Sequence, residues 1–425
     1  MEARIRKSKV RGSVVAPPSK SYTQRAIVCA LLADGKTEIV NPSRSDDAFS
    51  ALHAAEMFGA DVESGAASWE VSSSGIETPD DVVDCGGSAT AIRFFAAAAA
   101  LAPGATVLTG DATLRRRPMG ELVSALNSLG ARCFSTRGDG LPPLVVLGGG
   151  IAGGEAVISG DVSSQFVSAL IISCTKAEKE TAIRLSSRLE SRHYVEMTLE
   201  ALGRFGGLCR ADFDRGIFIL PPKQALTPCE FVVEGDYSSA AFMLAAGLLA
   251  GDVEVRGIPQ FSKQGDAAII GIIRSMGGKA VPTDGGIRSS ESAIRGIQLD
   301  AAQIPDLVPV VAAIASKAEG ETVIRGIRRL RYKESDRVAA LSDAIGRMGG
   351  CVSSEGDAIM VSGRRNTRGA EIDPRNDHRI AMACAVLALA SDGMTVIRNA
   401  ECVSKSYPSF FDDLRAIGGE VEMIR

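Results

Sequence analysis

The sequence predicts an α/β protein assembled from six copies of one unit, and three observations predict it. First, a helical pattern ends in an apolar residue followed by Gly-Gly or Gly-Ala six times: Phe58-Gly59-Ala60, Leu129-Gly130-Ala131, Phe205-Gly206-Gly207, Met276-Gly277-Gly278, Met348-Gly349-Gly350 and Ile417-Gly418-Gly419. The first glycines stand 71, 76, 71, 72 and 69 residues apart, a period that marks an internal repeat. Second, a short β-branched strand follows an apolar helix and a turn, in phase with that repeat: DGKTEIV at 34–40, PGATVL at 103–108, EKETAIRL at 178–185, AGDVEVRGI at 250–258, EGETVIRGI at 319–327 and SDGMTVIRN at 391–399. Third, helix and strand patterns alternate along the chain, the order of α/β units.

Each unit reads in the same order. A polar turn leads into a very apolar helix, then a turn, a strand, an amphipathic helix, the Gly pair and a further strand. The first helix, as in SSAAFMLAAGLLA or TAIRFFAAAAALA, is apolar on nearly every face and belongs in a core. Glycine after the second helix supplies a left-handed turn without a Cβ clash. The buried first helix has a difficulty at its start, where backbone N–H groups lack partners inside the helix. Capping side chains or an anion must meet them, and the helix dipole favours the anion.

The residues at the six starts are PPSKSYTQR (17–25), CGGSATAIR (85–93), GDVSSQF (160–166), EGDYSSA (234–240), IPDLVP (304–309) and RNDHRIA (375–381). All six carry Ser, Thr or Asp able to cap, and plain capping explains any one of them. Four also carry Lys, Arg, Gln or His. A cation beside a positive helix end makes sense if an anion fills the space between them. Arg115-Arg116-Arg117 and the stretch RLRYKESDR (329–337) add further cations at loop and helix starts. Glu334 pairs by spacing with Arg337 as a surface ion pair or as a chemical group; Asp306 is a cap or a lone functional carboxylate before LVPVVAAIA.

Composition bounds the remaining readings. At 425 residues the chain holds two or three domains. Forty-seven Lys and Arg against 51 Asp and Glu give a net charge of −4, which argues against general nucleic-acid binding, while cations gathered at loop and helix starts of an acidic chain are the pattern for focusing a small multiply charged anion. Apolar residues at 45% and charged residues at 23% are those of a globular protein with a sizeable core. The longest apolar stretches fall short of a membrane span, and the start lacks the apolar run of a signal peptide. Nine cysteines without a Cys-x-x-Cys pair, three of them (Cys29, Cys174, Cys384) inside apolar helices, fit a reducing cytosol. Three dispersed histidines make a structural zinc site improbable, and no metal site is expected. No P-loop, dinucleotide fingerprint or nucleophile elbow is present.

Ten motifs in order, PPSKSYTQR, GSATAIR, GDATLRRRPM, SSQF, SRHYVEMTL, VEGDYSSA, PDLVP, KESDR, NDHRIAMA and SKSYPSFF, resemble the 5-enolpyruvylshikimate-3-phosphate (EPSP) synthases, or 3-phosphoshikimate 1-carboxyvinyltransferases, over essentially the whole chain. The resemblance implies the two-domain enolpyruvyl-transferase fold: three βαβαββ-type repeats per domain, with buried helices pointing their N-termini at an interdomain cleft. Because the family's chain crosses twice, the domains are expected at 1–18 plus 233–425 and at 19–232. It implies transfer of the enolpyruvyl group of phosphoenolpyruvate to the 5-hydroxyl of shikimate 3-phosphate with release of phosphate, in a cytoplasmic monomer without cofactor.

Site residues follow from the same resemblance. Ser21, Arg25, Ser163, Ser164, Ser191 and Tyr194 match the shikimate-phosphate shell, and Lys333 a ligand to the shikimate hydroxyls. Gln165 touches both substrates and Lys20 bridges the two anions. Arg117, Arg337, Arg379 and Lys405 match the clamp on phosphoenolpyruvate, with Ala89 at that pocket. Asp306 matches the residue that takes the 5-hydroxyl proton, Glu334 the one that protonates the methylene carbon, and His378 a neighbour supporting proton movement or orientation. Lys20 shares in the proton transfers. The sequence departs from the family pattern at Gly87, usually Asn; Ala89, often Gly; Arg329, Asn in some members; and His193, commonly Pro. The extra methyl of Ala89 should narrow the pocket against the inhibitor glyphosate. UDP-N-acetylglucosamine enolpyruvyl transferase shares fold and donor, but its family carries a Cys in the loop that here reads GDATLRRRPM. RNA 3′-phosphate cyclase, built from similar units but smaller, lacks these motifs. A non-catalytic anion-binding scaffold is disfavoured by the presence of Asp306, Glu334, Lys20 and Arg379.

Overall fold

A computed structural model of the chain describes residues 1–364 and 366–424. The chain folds as two compact units, Met1–Pro17 with Glu234–Arg425, and Pro18–Val233. Twelve α-helices are described: α1 (Lys20–Leu32), α2 (Asp46–Met57), α3 (Ala89–Ala99), α4 (Gly120–Ser128), α5 (Ser164–Ser173), α6 (Arg192–Arg204), α7 (Tyr237–Ala250), α8 (Ile269–Ser275), α9 (Val308–Ala315), α10 (Arg337–Arg347), α11 (His378–Leu389) and α12 (Phe410–Ala416). They alternate as the sequence predicts. The first helix of each repeat is buried all round: every residue of α3, α9 and α11 is buried. The second is amphipathic, as in α10, where Val338, Ala340, Leu341, Ala344 and Ile345 face inward.

Among the described residues the strands form six four-stranded sheets with one topology. In one, Val83–Asp84 runs parallel to Ala105–Thr109 across α3; α4 then leads to the hairpin Arg132–Ser135 and Leu144–Leu147, which adds antiparallel. The same plan joins Gly154–Ile158, Thr181–Leu185, Ile217–Leu220 and Arg210–Asp212, and again Gln298–Asp300, Glu321–Arg325, Ala358–Ser362 and Cys351–Glu355. A helix is the natural crossover between parallel neighbours. Each predicted Gly turn carries its first glycine at positive φ, from 74° at Gly206 to 98° at Gly418.

The other three sheets borrow strands. Val10–Val15 precedes α1 in sequence but pairs with Gly251–Arg256, the strand after α7. Glu230–Val232 precedes α7 but pairs with Gly35–Val40, the strand after α1. This exchange of first strands accounts for the two chain crossings between the units. The N-terminal strand Glu2–Arg6 lies between Met394–Ile397 and Val421–Ile424 and completes the last repeat.

In each unit the three buried helices pack on one another, α7, α9 and α11 in one and α1, α3 and α5 in the other, at the heart of a single core. Cys29, Cys174 and Cys384 are buried free thiols there, pushed up to about 12 by burial and so inert at neutral pH. No described helix is long and apolar enough to cross a membrane.

Candidate active site

Five of the six buried helices start on a side-chain cap: Ser19 on α1, Ser88 on α3, Ser163 on α5, Asp236 on α7 and Asp377 on α11. Plain capping therefore meets part of the N–H demand that the sequence also allowed anions to meet. The sixth, α9, follows the 3-10 turn Pro305–Leu307 and has no side-chain cap. Asp306 is thus not the cap that its position allowed; its carboxylate is engaged elsewhere.

In the unit Pro18–Val233 the helix starts are laced together. Gln24 Nε2 donates to Ser88 Oγ and to the Asp47 carbonyl, both at 2.8 Å, tying α1 to α3 and α2. Lys20 Nζ meets Asp47 Oδ2 at 2.7 Å, so an internal carboxylate already accompanies this cation at the start of α1. Arg93 Nη1 donates to Gln165 Oε1 (2.5 Å) and Ser163 Oγ (3.2 Å), while Gln165 Nε2 donates to Thr90 Oγ1 (2.8 Å). Arg93 also lies over the Phe166 ring at 4.8 Å.

Arg25 is held differently. It is 1% exposed, and Nε donates to Thr198 Oγ1, Nη1 to the Ser21 carbonyl and Nη2 to the Tyr194 carbonyl, each at 2.8 Å. Its guanidinium also stacks between Phe94 and Tyr194. Burial lowers it to about 10, still protonated at neutral pH, while Tyr194, Tyr22 and Cys29 act in the opposite direction. The result is a fixed positive charge among neutral acceptors, the environment that favours an incoming anion. Ser191, buried beside Tyr194's helix, takes a left-handed backbone (φ 56°), a conformation that surrounding packing must enforce. Ser164 and Ala89 are buried in the first turns of α5 and α3. Buried Arg117 follows the 3-10 turn Leu114–Arg116.

In the other unit the charges are opposed and dense. Arg337, 1% exposed, grips three carboxylates: Glu334 Oε2 from Nη2 (2.6 Å), Asp306 Oδ1 from Nη1 (2.8 Å) and Asp377 Oδ2 from Nε (2.9 Å). The Glu334–Arg337 pair predicted by spacing exists, but buried rather than on the surface. Asp306 Oδ1 also meets Lys333 Nζ at 3.3 Å, its Oδ2 meets Arg379 Nη2 at 3.6 Å, and its carbonyl accepts from Arg379 Nη1 at 3.2 Å. Asp377 caps α11 through the Arg379 N–H (3.1 Å) and accepts from Ser335 Oγ (3.0 Å).

Burial alone would raise the Asp306 carboxyl, but Arg379, Lys333 and Arg337 overcome it and hold the group well below the ordinary range. Lys333 moves the other way: burial lowers it to about 8 although Asp306 opposes the shift. Arg337 is raised; its carboxylates outweigh burial. His378 opens α11, 1% exposed. Lys405 ends the 3-10 turn Ala400–Lys405, which packs on α11.

Sequence reading missed Arg93 and Asp47 as partners of the site. Arg93 closes the quoted CGGSATAIR motif, and a cation inside an otherwise apolar helix is the signal that could have found it.

Fold and site together define a two-unit α/β protein with one cluster that sets a buried guanidinium among neutral acceptors and one built around buried carboxylates and cations. Comparison with known proteins agrees. The sequence model of EPSP synthase (3-phosphoshikimate 1-carboxyvinyltransferase) matches residues 5–414. The chain is 43% identical over 429 residues to a 3-phosphoshikimate 1-carboxyvinyltransferase of Methanocella arvoryzae, covering all of both, and 37% identical over 421 residues to that of Methanococcus maripaludis, covering 98% of each. An EPSP synthase structure from Acinetobacter baumannii superposes with a TM-score of 0.84 at 25% identity over the whole of both chains. The chain belongs to the EPSP synthase family.

Proposed function

We propose that this protein transfers the enolpyruvyl group of phosphoenolpyruvate to the 5-hydroxyl of shikimate 3-phosphate and releases inorganic phosphate. The observation that carries the reading is full-length similarity to relatives bearing that activity's name, at up to 43% identity over the whole chain. The site chemistry supports it. Two polyanions repel each other strongly where water is scarce, and fixed cations must compensate.

In this reading Arg25, Ser21, Ser163, Ser164, Gln165, Ser191 and Tyr194 hold shikimate 3-phosphate, with Arg25 facing the phosphate charge. Lys333 and Asp306 take the shikimate hydroxyls. Arg117, Arg337, Arg379 and Lys405 hold phosphoenolpyruvate, with Ala89 at its pocket, and Lys20 answers both anions. The 5-hydroxyl oxygen bonds to C2 of phosphoenolpyruvate while its proton passes to Asp306, and Glu334 delivers a proton to C3. In the tetrahedral intermediate the C2–O bond to phosphate then breaks, the phosphate leaving with the proton held on Asp306, C3 returns its proton to Glu334, and the enol ether forms. His378 orients this exchange.

The ion pairs explain how Asp306 can serve as a base although three cations hold its proton affinity down. Phosphoenolpyruvate arriving at Arg379 and the shikimate hydroxyls arriving at Lys333 draw those cations away from Asp306, and its affinity for a proton rises at the moment the 5-hydroxyl is in place. Glu334 must likewise loosen from Arg337 to carry a proton.

We propose in addition that the domains are 1–18 plus 233–425 and 19–232, and that the enzyme is a cytoplasmic monomer needing neither metal nor organic cofactor. Light scattering would test the monomer, and turnover after exhaustive chelation the absence of a metal. The reaction is tested by incubating the protein with phosphoenolpyruvate plus shikimate 3-phosphate, or plus UDP-N-acetylglucosamine, and measuring phosphate. Release only with the shikimate compound is expected. Release only with the sugar nucleotide, or with neither, would overturn the assignment.

A further inference from the structure

Thr198 is a fully buried side chain that the roles above leave unused. It stands one turn after Tyr194 in α6. Arg25 Nε donates to its Oγ1 at 2.8 Å, and the hydroxyl in turn reaches Ser168 Oγ at 2.8 Å and the Tyr194 carbonyl at 2.9 Å. Ser168, in α5, is buried as well. One oxygen therefore ties α1, α5 and α6 together beside the guanidinium.

A helical threonine commonly bonds the carbonyl four residues back, and that contact alone would be ordinary helix chemistry. Two features go beyond it. The Tyr194 carbonyl that Thr198 reaches is the one that accepts from Arg25 Nη2 at 2.8 Å. Nε and Nη2 form one edge of the guanidinium, so α6 offers that edge a matched pair of oxygens, and docking one edge of a rigid planar fork fixes the plane of the whole group. Of the three acceptors, the Ser21 and Tyr194 oxygens belong to the backbone, and Thr198 is the side chain among them. The packing of α6 does not hang on that hydroxyl: Tyr22 Oη donates to Glu200 Oε2 at 2.5 Å, and Val195, Met197, Ala201 and Leu202 are buried.

We propose that Thr198 is a positioning residue acting through Arg25: its hydroxyl sets the direction in which the buried guanidinium meets an anionic ligand. The inference rests on the reading that Arg25 faces the phosphate of shikimate 3-phosphate. Thr198 itself touches no substrate. It holds the guanidinium in one orientation before the ligand arrives, so that binding need not also order it. Without the hydroxyl, Nε has lost its acceptor, and the group turns to recover one, away from the direction the ligand needs.

Thr198→Val keeps the shape and removes the hydroxyl. Calorimetric titration with shikimate 3-phosphate should show affinity falling about tenfold, the low end of what a hydrogen bond to a charged group is worth. Thr198→Ser, which restores the oxygen, should bind within about twofold of wild type. In turnover, the Val variant should raise the KM for shikimate 3-phosphate more than it changes kcat or the KM for phosphoenolpyruvate. A double variant separates positioning from plain packing. In an Arg25→Gln background, Thr198→Val should cost less than about twofold further, because its effect passes through the missing guanidinium. The full loss in that background, or wild-type affinity in Thr198→Val alone, would overturn the inference by itself. A wild type that neither binds shikimate 3-phosphate nor releases phosphate from it with phosphoenolpyruvate would overturn the functional reading and this inference with it. Should the Val variant fail to fold, Thr198→Cys keeps a weaker acceptor at similar volume. A smaller loss in the same direction is then expected, and wild-type affinity would contradict the proposal.

Discussion

The two clusters are built from the same residue types and differ in how charge is answered. Around Arg25 the acceptors are a hydroxyl and two carbonyls, none of them a carboxylate. Around Arg337 three carboxylates are gripped by one guanidinium, and Asp306 gathers Lys333 and Arg379 as well. A cation among neutral partners is prepared for an anion; a cation among carboxylates sets where protons reside. The comparison sets a cluster proposed only to hold a substrate against one proposed both to hold substrates and to move protons, and single substitutions can break or sharpen it.

The largest effect is expected at Glu334. Glu334→Gln keeps size and neutral hydrogen bonding but removes the exchangeable proton, so kcat should fall about 10²–10⁴-fold, the range for general acid–base groups. Stopped-time phosphate release measures it, and undiminished turnover would remove Glu334 from proton transfer. Next comes Arg337→Met. It leaves Asp306, Glu334 and Asp377 without their shared partner, and uncompensated buried charge typically costs about 3–5 kcal/mol. The urea midpoint should fall accordingly; an unchanged midpoint would mean that the cluster does not hold the fold.

A smaller effect is one of pH. Lys333 loses its proton as pH rises through about 8. The ammonium that would hold the shikimate hydroxyls is present below that value and lost above it. The kcat/KM for shikimate 3-phosphate should therefore bend downward near pH 8, and Lys333→Arg, which stays charged, should move the bend upward. A bend in the same place in both proteins would assign it elsewhere. The smallest is Ala89→Gly. It removes one buried methyl in the first turn of α3, and the glyphosate inhibition constant should drop roughly 10-fold, what one methylene-sized change in a pocket is worth. An unchanged constant would show that Ala89 does not narrow the pocket.

The repeat was legible because it is written in features that act locally. Gly59, Gly130 and their counterparts are needed where a helix turns left-handed, and α3 or α7 can only be core because no face is polar. The caps Ser19, Ser88 and Asp377 were legible for the same reason. Pairings made through space were not. Nothing local in Val10–Val15 says that its neighbour lies beyond residue 250. Asp47 is one acidic residue among many until folding sets it against Lys20. From its local pattern Asp306 read equally as a cap or as a lone functional carboxylate, because Pro-Asp before an apolar run allows both; only the approach of Arg337 and Lys333 from another helix start shows that it is no cap.

One pair of calorimetric titrations with shikimate 3-phosphate alone tests the division between the clusters most directly. Arg25→Gln should lose affinity about 10- to 100-fold, the worth of a charge-assisted hydrogen bond, while Glu334→Gln should bind as wild type does. Wild-type affinity in Arg25→Gln together with lost affinity in Glu334→Gln would contradict it.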